Sequence, residues 1–234
     1  MNAKDVISLL SHKSNLEKAA FFPRFFKSLP GEYGEGDLFL GVTVPEQRAI
    51  VKQVFKDIAL NELSKLLQNE FHEARLTAVL ILVRKFEKNK NVEDRKELVD
   101  FYLNHLDYVN NWDIVDSSCY KILGPYLVDK DRKLLYDLAH SDKLWYQRVA
   151  MITTLHFIKI GDFKDALALA EILLHHDHDL IHKAVGWMLR EIGNKNRQVE
   201  LDFLDAHYQN IPRTALRYAI EKFEEPLRKH YLKK

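Results

Sequence analysis

The fold is decided by segments such as Lys183-Ala184-Val185-Gly186-Trp187-Met188-Leu189-Arg190, in which apolar side chains recur every three or four residues. This spacing places the apolar side chains on one face of a helix. The helix that contains this segment is predicted to begin at Ile181, and four further segments, which begin at Phe71, Trp112, Trp145 and Pro212, have the same amphipathic character. The alternation that marks strands, bounded by hairpin turns, is absent. The sequence therefore predicts helices at regular intervals.

These segments form a loose repeat. When Ala74, Val115, Arg148, Lys183 and Ala215 are aligned, successive repeats lie 41, 33, 35 and 32 residues apart. Such a period is typical of a helix–turn–helix solenoid, somewhat shorter than a usual HEAT or armadillo repeat. A second helix is predicted in each interval, near residues 91–108, 131–139, 163–176 and 198–208.

One helix pair cannot bury its apolar face alone, so neighbouring pairs must stack. The sequence thus predicts an all-α, right-handed superhelical solenoid of HEAT-like antiparallel helix pairs, with roughly 12 to 14 helices in one domain over residues 1–234. Its concave face would bind a ligand. An irregular helical bundle is the alternative.

Helix starts can be placed from capping residues. Thr43 and Glu46 have the spacing of a capping box, and Pro45 between them suits a first helical turn. Asn110 or Asn111 can cap a helix that begins at Trp112. The longest irregular stretch, residues 30–37, contains three of the eight glycines and predicts a loop.

Charge and cysteine content narrow the function classes. The net charge is only +1, but residues 181–234 carry 11 Lys and Arg against 7 Asp and Glu. This basic C-terminal part is compatible with a phosphate backbone, or with an ordinary solvated helix face. The single cysteine excludes an internal disulfide framework and a Cys-based zinc site. No signal peptide or membrane span is expected, so the prediction is a cytoplasmic protein.

Several polar and aromatic residues are unusual for a helix core. Trp112 and Asp116 are four residues apart, so they project from one helix face. Gly186 inside a helix costs about 1 kcal/mol relative to Ala, which predicts a close approach beside Trp187. Each feature alone also has a structural explanation, namely a solvated carboxylate or a core tryptophan at a tight helix crossing.

Other chemistries are poorly supported. His175, His176, His178 and His182 form a cluster. His178 and His182 have a spacing that suits a metal, but no third ligand lies at a convincing position. Histidines near a helix end explain the cluster better, and neither a metal nor a cofactor is predicted. Ser117-Ser118-Cys119 lacks a nearby histidine and the glycines of a nucleophile elbow.

Five blocks of sequence, in the same order, resemble the AlkD family of DNA alkylation repair glycosylases. They are Gly36-Asp37-Leu38-Phe39-Leu40-Gly41-Val42 with Pro45-Glu46-Gln47-Arg48, Asn111-Trp112-Asp113-Ile114-Val115-Asp116, Leu144-Trp145-Tyr146-Gln147-Arg148, Lys183-Ala184-Val185-Gly186-Trp187-Met188-Leu189-Arg190-Glu191 and Pro212-Arg213-Thr214-Ala215-Leu216-Arg217-Tyr218-Ala219-Ile220. The resemblance extends over residues 16–224. Five collinear blocks are a specific signal, whereas one block would not be.

The resemblance implies a monofunctional DNA glycosylase that hydrolyses the N-glycosidic bond of cationic N3- and N7-alkylated purines. Its implied partner is double-stranded DNA containing alkylated bases, bound by a monomer on the concave face. The family's catalytic positions carry over to Trp112, Asp116 and Trp187, and Arg148 to a DNA contact. The further cations expected to bind phosphates are Lys183, Arg190, Arg213 and Arg217.

Two alternatives stay open at this point. A HEAT-like scaffold could bind DNA or protein without chemistry, since a fold alone does not determine function. A glycosylase with lyase activity could instead use Lys183 as a Schiff-base nucleophile. The presence of Asp116 with both tryptophans argues against a scaffold.

Overall fold

The computed structural model describes residues 1–233, and the regular elements in that range are all helices. A single isolated bridge between Leu38 and Phe71 is the one β-type pairing within the described range. The all-α prediction is therefore confirmed. The chain divides into two compact units, Met1–Ser118 and Cys119–Lys234. The division falls inside a helix, α7 (Trp112–Tyr126). The single-domain organisation and the right-handed superhelix stay predictions.

The first unit is built around its longest complete helix. Its elements before α7 are α1 (Ala3–Ser11), α2 (Leu16–Phe25), α3 (Val44–Val54), α4 (Leu60–Leu67), α5 (His72–Lys88), α6 (Val92–Asn104) and a short 3-10 helix (Leu106–Tyr108). Helix α5 is buried on nearly every side and packs against α1, α3, α4 and α6. Residues 76–83 of α5 are apolar except for Thr77 and are all buried, so this part of the helix lies at the centre of the core.

The second unit has an equivalent central helix. Its elements after α7 are α8 (Lys133–Ala139), α9 (Leu144–Thr153), α10 (Leu155–Lys159), α11 (Lys164–Leu173), α12 (Asp179–Lys195), α13 (Arg197–His207), α14 (Arg213–Ala219), a short 3-10 helix (Ile220–Lys222) and α15 (Glu225–Leu232). Helix α12 packs against the 3-10 helix and against five α-helices, namely α9, α10, α11, α13 and α14. None of the helices in residues 1–233 is long and apolar enough to cross a membrane.

The predicted helix positions are confirmed to within a few residues. Helices α5, α7, α9, α12 and α14 begin at or beside the five predicted starts, with α12 displaced most, by two residues. The four second helices correspond to α6, α8, α11 and α13. The described residues form fifteen α-helices, more than predicted, partly because Thr154 separates α9 from α10.

The predicted caps are also confirmed. The hydroxyl and backbone N–H of Thr43 both donate to the Glu46 carboxylate, at 2.6 and 2.9 Å, and these bonds lower the pKa of Glu46. Pro45 lies in the first turn of α3. Helix α7 begins where the Asn111 side chain accepts a 2.8 Å hydrogen bond from the Trp112 backbone N–H.

Gly186 marks a close helix contact in the second unit, as the sequence predicts. A Cβ atom at Gly186 would lie 2.3 Å from the Ala215 carbonyl oxygen and 2.6 Å from the Tyr218 Cβ atom. Both neighbours belong to α14, whose backbone therefore lies directly on α12. The glycine permits this approach despite its poor helix propensity.

We expect Gly186→Ala to lower the free energy of unfolding by about 1–3 kcal/mol, because α14 must move as a whole to admit the methyl group. Gly193→Ala is the matched control in the same helix. The three atoms nearest to its Cβ all belong to the Glu200 carboxyl group, the end of a side chain, and not to the backbone of α13. Urea unfolding of both variants should show the larger loss for Gly186→Ala, and an equal loss would contradict the backbone explanation.

Candidate functional site

Trp112 and Asp116 lie one turn apart on α7, both half-buried. The Trp112 indole stacks on the Phe26 ring, with centroids 5.6 Å apart and ring planes at 23°. Phe25 packs edge-on against the same indole at 5.7 Å and is itself half exposed. Two aromatic neighbours thus fix the plane of Trp112 while a carboxylate follows one turn along the same helix.

The aromatic support continues below Trp112. Phe26 also stacks on Phe39 at 5.5 Å and 12°, and it lies 4.4 Å from the His72 ring. The sequence did not predict Phe25 and Phe26 as residues of the site. The sequence feature that could have indicated them is the group of four phenylalanines within residues 21–26. None of the residues of α2 itself is buried.

A buried chain of charged side chains lies beneath this aromatic layer. His72 Nδ1 is 2.9 Å from Asp37 Oδ2, and His72 Nε2 is 2.8 Å from Asp113 Oδ2. Arg75 Nη2 contacts the other Asp37 oxygen at 2.5 Å. These four residues, the charged network, have at most 7% of their side chains exposed, or 8% for Asp113.

The network requires a protonated imidazole. Each His72 nitrogen faces a carboxylate oxygen, which accepts and cannot donate when ionised, so both nitrogens must carry a hydrogen. Burial alone would lower the pKa of His72, but Asp113 and Asp37 together raise it to about 9. Two carboxylates and two cations leave the network electrically balanced, which is the condition for burying charge.

Further polar contacts fix the loop that carries Asp37. The Glu73 carboxylate accepts hydrogen bonds from the backbone N–H groups of residues 40, 41 and 42, at 2.8–3.2 Å. Leu38 N–H donates to the Glu70 carbonyl at 3.1 Å, and His72 N–H donates to the Leu38 carbonyl at 2.9 Å. The loop is therefore held in place by the N-terminus of α5.

We expect His72→Gln to lower the free energy of unfolding at pH 6 by about 3–5 kcal/mol, since it leaves two buried carboxylates with one cation. The folded-state pKa of about 9 lies above the ordinary 6.5, so the stabilisation is complete below pH 6.5 and is lost as the pH rises through 9. Urea unfolding at pH 6 and at about pH 9.5 tests this.

His105→Gln is the control for that measurement, because His105 bonds Ser64 and a backbone carbonyl. Its effect should not follow the same pH course. If the difference in the free energy of unfolding between the wild type and His72→Gln stays constant across the pH range, the imidazolium charge is not the cause of the lost stability.

The second unit contains the other predicted catalytic aromatic residue, Trp187, on α12. The Trp187 Nε1–H donates to Glu191 Oε1 at 3.0 Å, one turn further along the helix. This bond fixes the orientation of a half-buried indole. Lys183, one turn earlier, forms a 2.7 Å ion pair with Asp179. Trp187 and Lys183 thus lie on neighbouring turns with known hydrogen-bond partners.

Arg148, which is predicted to contact DNA, is a buried residue of α9. It is only 5% exposed, and its Nη1 donates to the Leu180 carbonyl at 2.6 Å. This bond ties α9 to the first turn of α12. The sequence pattern could not reveal the burial, because arginine is usually a surface residue.

The other predicted phosphate ligands differ in availability. Arg190 is ion-paired with Glu221 and lies 4.0 Å from Glu191, so its guanidinium already faces carboxylates. Arg213 is exposed and donates to the Leu232 carbonyl at 3.0 Å. Arg217, on the same helix as Arg213, is exposed. The cations of α14 are therefore the more accessible ones.

Three side chains of the histidine cluster form hydrogen bonds to backbone groups around the start of α12. The His178 side chain accepts a 3.1 Å bond from Leu180 N–H, and His176 Nδ1 accepts from His178 N–H at 2.9 Å. His182 bonds the His176 carbonyl. Within residues 1–233 no group of three or more His, Cys, Asp or Glu side chains is arranged to hold a metal ion.

Comparison with known proteins gives the family. Residues 6–223 match the family described as "DNA alkylation repair enzyme". The chain belongs to this family. A solved structure described as a predicted DNA alkylation repair enzyme from Enterococcus faecalis is similar, with a TM-score of 0.69 and 19% identity over 91% of this chain and 98% of that one. No curated protein matches the sequence significantly.

Membership of the DNA alkylation repair enzyme family confirms the resemblance seen in the sequence blocks. The similarity to the Enterococcus faecalis structure, at that identity, shows a shared fold alone. The assignment of individual site residues stays a prediction, which the geometry described above makes specific enough to test.

Proposed function

We propose that the protein is a DNA glycosylase that hydrolyses the N-glycosidic bond of cationic N3- and N7-alkylated purines in duplex DNA. One observation carries the proposal: α7 presents a tryptophan fixed by aromatic stacking and, one turn later, the Asp116 carboxylate. Family membership supports DNA as the substrate. The monomeric state and the cytoplasmic location stay predictions.

The chemistry suits a single carboxylate. An N3- or N7-alkylpurine carries a positive charge and leaves as a neutral base, so no general acid is needed. The barrier comes from positive charge that develops on the deoxyribose. Asp116 would stabilise that charge and align the attacking water, as a preorganised carboxylate does in glycoside hydrolysis.

The tryptophans would add attraction for the same charge. The face of an indole carries negative electron density and attracts cations, with about 1–2 kcal/mol per contact where water is partly excluded. Trp112 is suited to this role because Phe25 and Phe26 already fix its plane. Trp187, anchored by Glu191, is proposed to act on the cationic lesion or sugar in the same way.

Asp116→Asn should lower the rate of base release by roughly 100- to 1000-fold, because the amide keeps the size but loses the charge that opposes the sugar cation. Duplex binding should hold or tighten slightly, since a carboxylate near phosphates is repulsive. Single-turnover release of N7-methylguanine from duplex DNA measures the rate, and a filter-binding titration measures the affinity.

Asp100→Asn is the matched control, because it makes the same change at an exposed carboxylate that pairs with Lys96 on α6. It should release base at the wild-type rate. Near-wild-type release by Asp116→Asn would mean that another residue performs the chemistry, with Lys183 the next to test.

The two alternatives give different results in the same assays. A non-catalytic scaffold would bind DNA and release no base. A lyase that used Lys183 would form a Schiff-base intermediate with the sugar, which borohydride reduces to a stable protein–DNA adduct, and would then cleave the sugar–phosphate backbone. The 2.7 Å ion pair with Asp179 holds the Lys183 ammonium against a carboxylate, whereas a Schiff-base nucleophile must be neutral. This contact favours hydrolysis by water.

Binding should depend on salt through the exposed arginines. We expect Arg217→Gln to weaken binding to alkylated and normal duplexes equally and to reduce the salt slope by about one ion. Arg228→Gln, at an exposed arginine of α15, is the control and should leave the slope unchanged. A loss confined to alkylated DNA would contradict a phosphate contact at Arg217.

A further inference from the structure

We propose that His72 is a positioning residue for base release: as an imidazolium between Asp37 and Asp113 it fixes the first turn of α7, and so aligns Trp112 and Asp116. The inference rests on the proposed function and deepens it. His72 does not touch the reacting atoms. It acts through Asp113 on one side and through the Phe26 ring on the other.

The first path runs through the helix backbone. Asp113 is the second residue of α7, between Trp112 and Ile114, and its second oxygen accepts the Ile114 N–H at 2.9 Å. A carboxylate that binds His72 and the first-turn backbone together determines where α7 begins. Asp116 lies one turn further on, so a displacement of that start would move both proposed catalytic side chains.

The second path runs through the aromatic layer. The His72 ring lies 4.4 Å from Phe26, and Phe26 stacks on Trp112. The Phe26 carbonyl also accepts a 3.3 Å hydrogen bond from the Asn111 side chain, whose oxygen caps Trp112. His72 therefore supports Trp112 from below its ring as well as through its backbone.

The groups that face His72 come from three elements. Asp37 lies on the loop, Asp113 on α7, and Arg75 one turn along α5. The Glu73 carboxylate, next to His72 in sequence, is occupied by backbone N–H groups of the loop. Burial lowers the pKa of His72 but the two aspartates raise it to about 9, so the proton is present at neutral pH.

Loss of that proton removes one of the two bonds. A neutral imidazole has one donor nitrogen, so it can satisfy Asp37 or Asp113 but not both. Asp113 would then be buried without a cation, or Asp37 would keep Arg75 alone, and in either case the network would carry an unbalanced buried charge that favours a local rearrangement. Base release of a cationic purine needs no general acid, so an alkaline loss of activity would report this positioning.

The test compares single-turnover release of N7-methylguanine by the wild type, His72→Gln and Asp113→Asn between about pH 6 and pH 9.5. At pH 7 we expect His72→Gln to be roughly 10- to 100-fold slower, since misplacement of catalytic groups by about 1 Å has effects of that size. The wild-type-to-variant ratio should fall towards one as the pH passes 9. Titration of the lesion itself changes the rate of base release by the wild type and by the variant to the same extent, so it cancels in the ratio of the two rates.

Asp113→Asn supplies a second variant if His72→Gln folds poorly. It removes one of the carboxylates that raise the pKa of His72, so the alkaline loss of rate should begin at a lower pH than in the wild type. A purely structural contact would lower the rate without moving that midpoint. His105→Gln should show the wild-type profile.

A measurement without substrate separates this inference from the proposed function. Trp145→Phe with Trp187→Phe leaves Trp112 as the only tryptophan. Its near-ultraviolet circular dichroism should change with a midpoint near pH 9, and the change should disappear when His72→Gln is added. Such a titration in a protein that releases no base would sustain the positioning and refute the glycosylase.

Two results would overturn the inference. One is base release by folded His72→Gln at the wild-type rate and with the wild-type pH profile. The other is a Trp112 signal that does not titrate between pH 7 and pH 9.5 in the wild-type background while far-ultraviolet circular dichroism shows an intact fold.

Discussion

The buried ion pairs of His72 with Asp37 and Asp113 are the constraint on which the first unit depends. A charge inside a protein is costly unless it is paired and hydrogen-bonded, and here each nitrogen of His72 has a carboxylate at 2.8–2.9 Å. Asp37 lies on a loop, His72 at the start of α5 and Asp113 at the start of α7. Because no pair can separate without leaving a buried charge, these three segments are fixed relative to one another.

The aromatic layer uses that rigidity. Phe26 lies on His72, Trp112 lies on Phe26, and Phe25 closes the edge of the indole. An indole in a fixed plane loses little further freedom when a cation approaches its face. Electrostatic stabilisation of the transition state by preorganised groups is usually the largest single contribution to enzyme catalysis. In the proposed reaction the phenylalanines would therefore contribute to catalysis although none of them carries a charge.

The second unit combines a tightly packed helix pair with several cationic side chains. Gly186 allows α14 to lie directly on α12, and both helices carry cations. Several of these already face carboxylates, as Arg190 faces Glu221 and Lys183 faces Asp179. DNA binding by those residues would exchange an internal ion pair for a phosphate contact, so its net gain would be smaller than that of an exposed arginine such as Arg217.

The sequence by itself determined the helices, because their signals are local. These signals are the 3.6-residue period of apolar side chains, the capping box at Thr43 and Glu46, and a glycine, Gly186, in the interior of a helix. It also determined the family, since five blocks in one order are specific. Only the tertiary structure decided that Arg148 is buried and that His72, Asp37, Asp113 and Arg75 form one network. The reason is physical: periodicity records which side of a helix is apolar, whereas the pairing of charges depends on contacts between residues 35 to 41 positions apart.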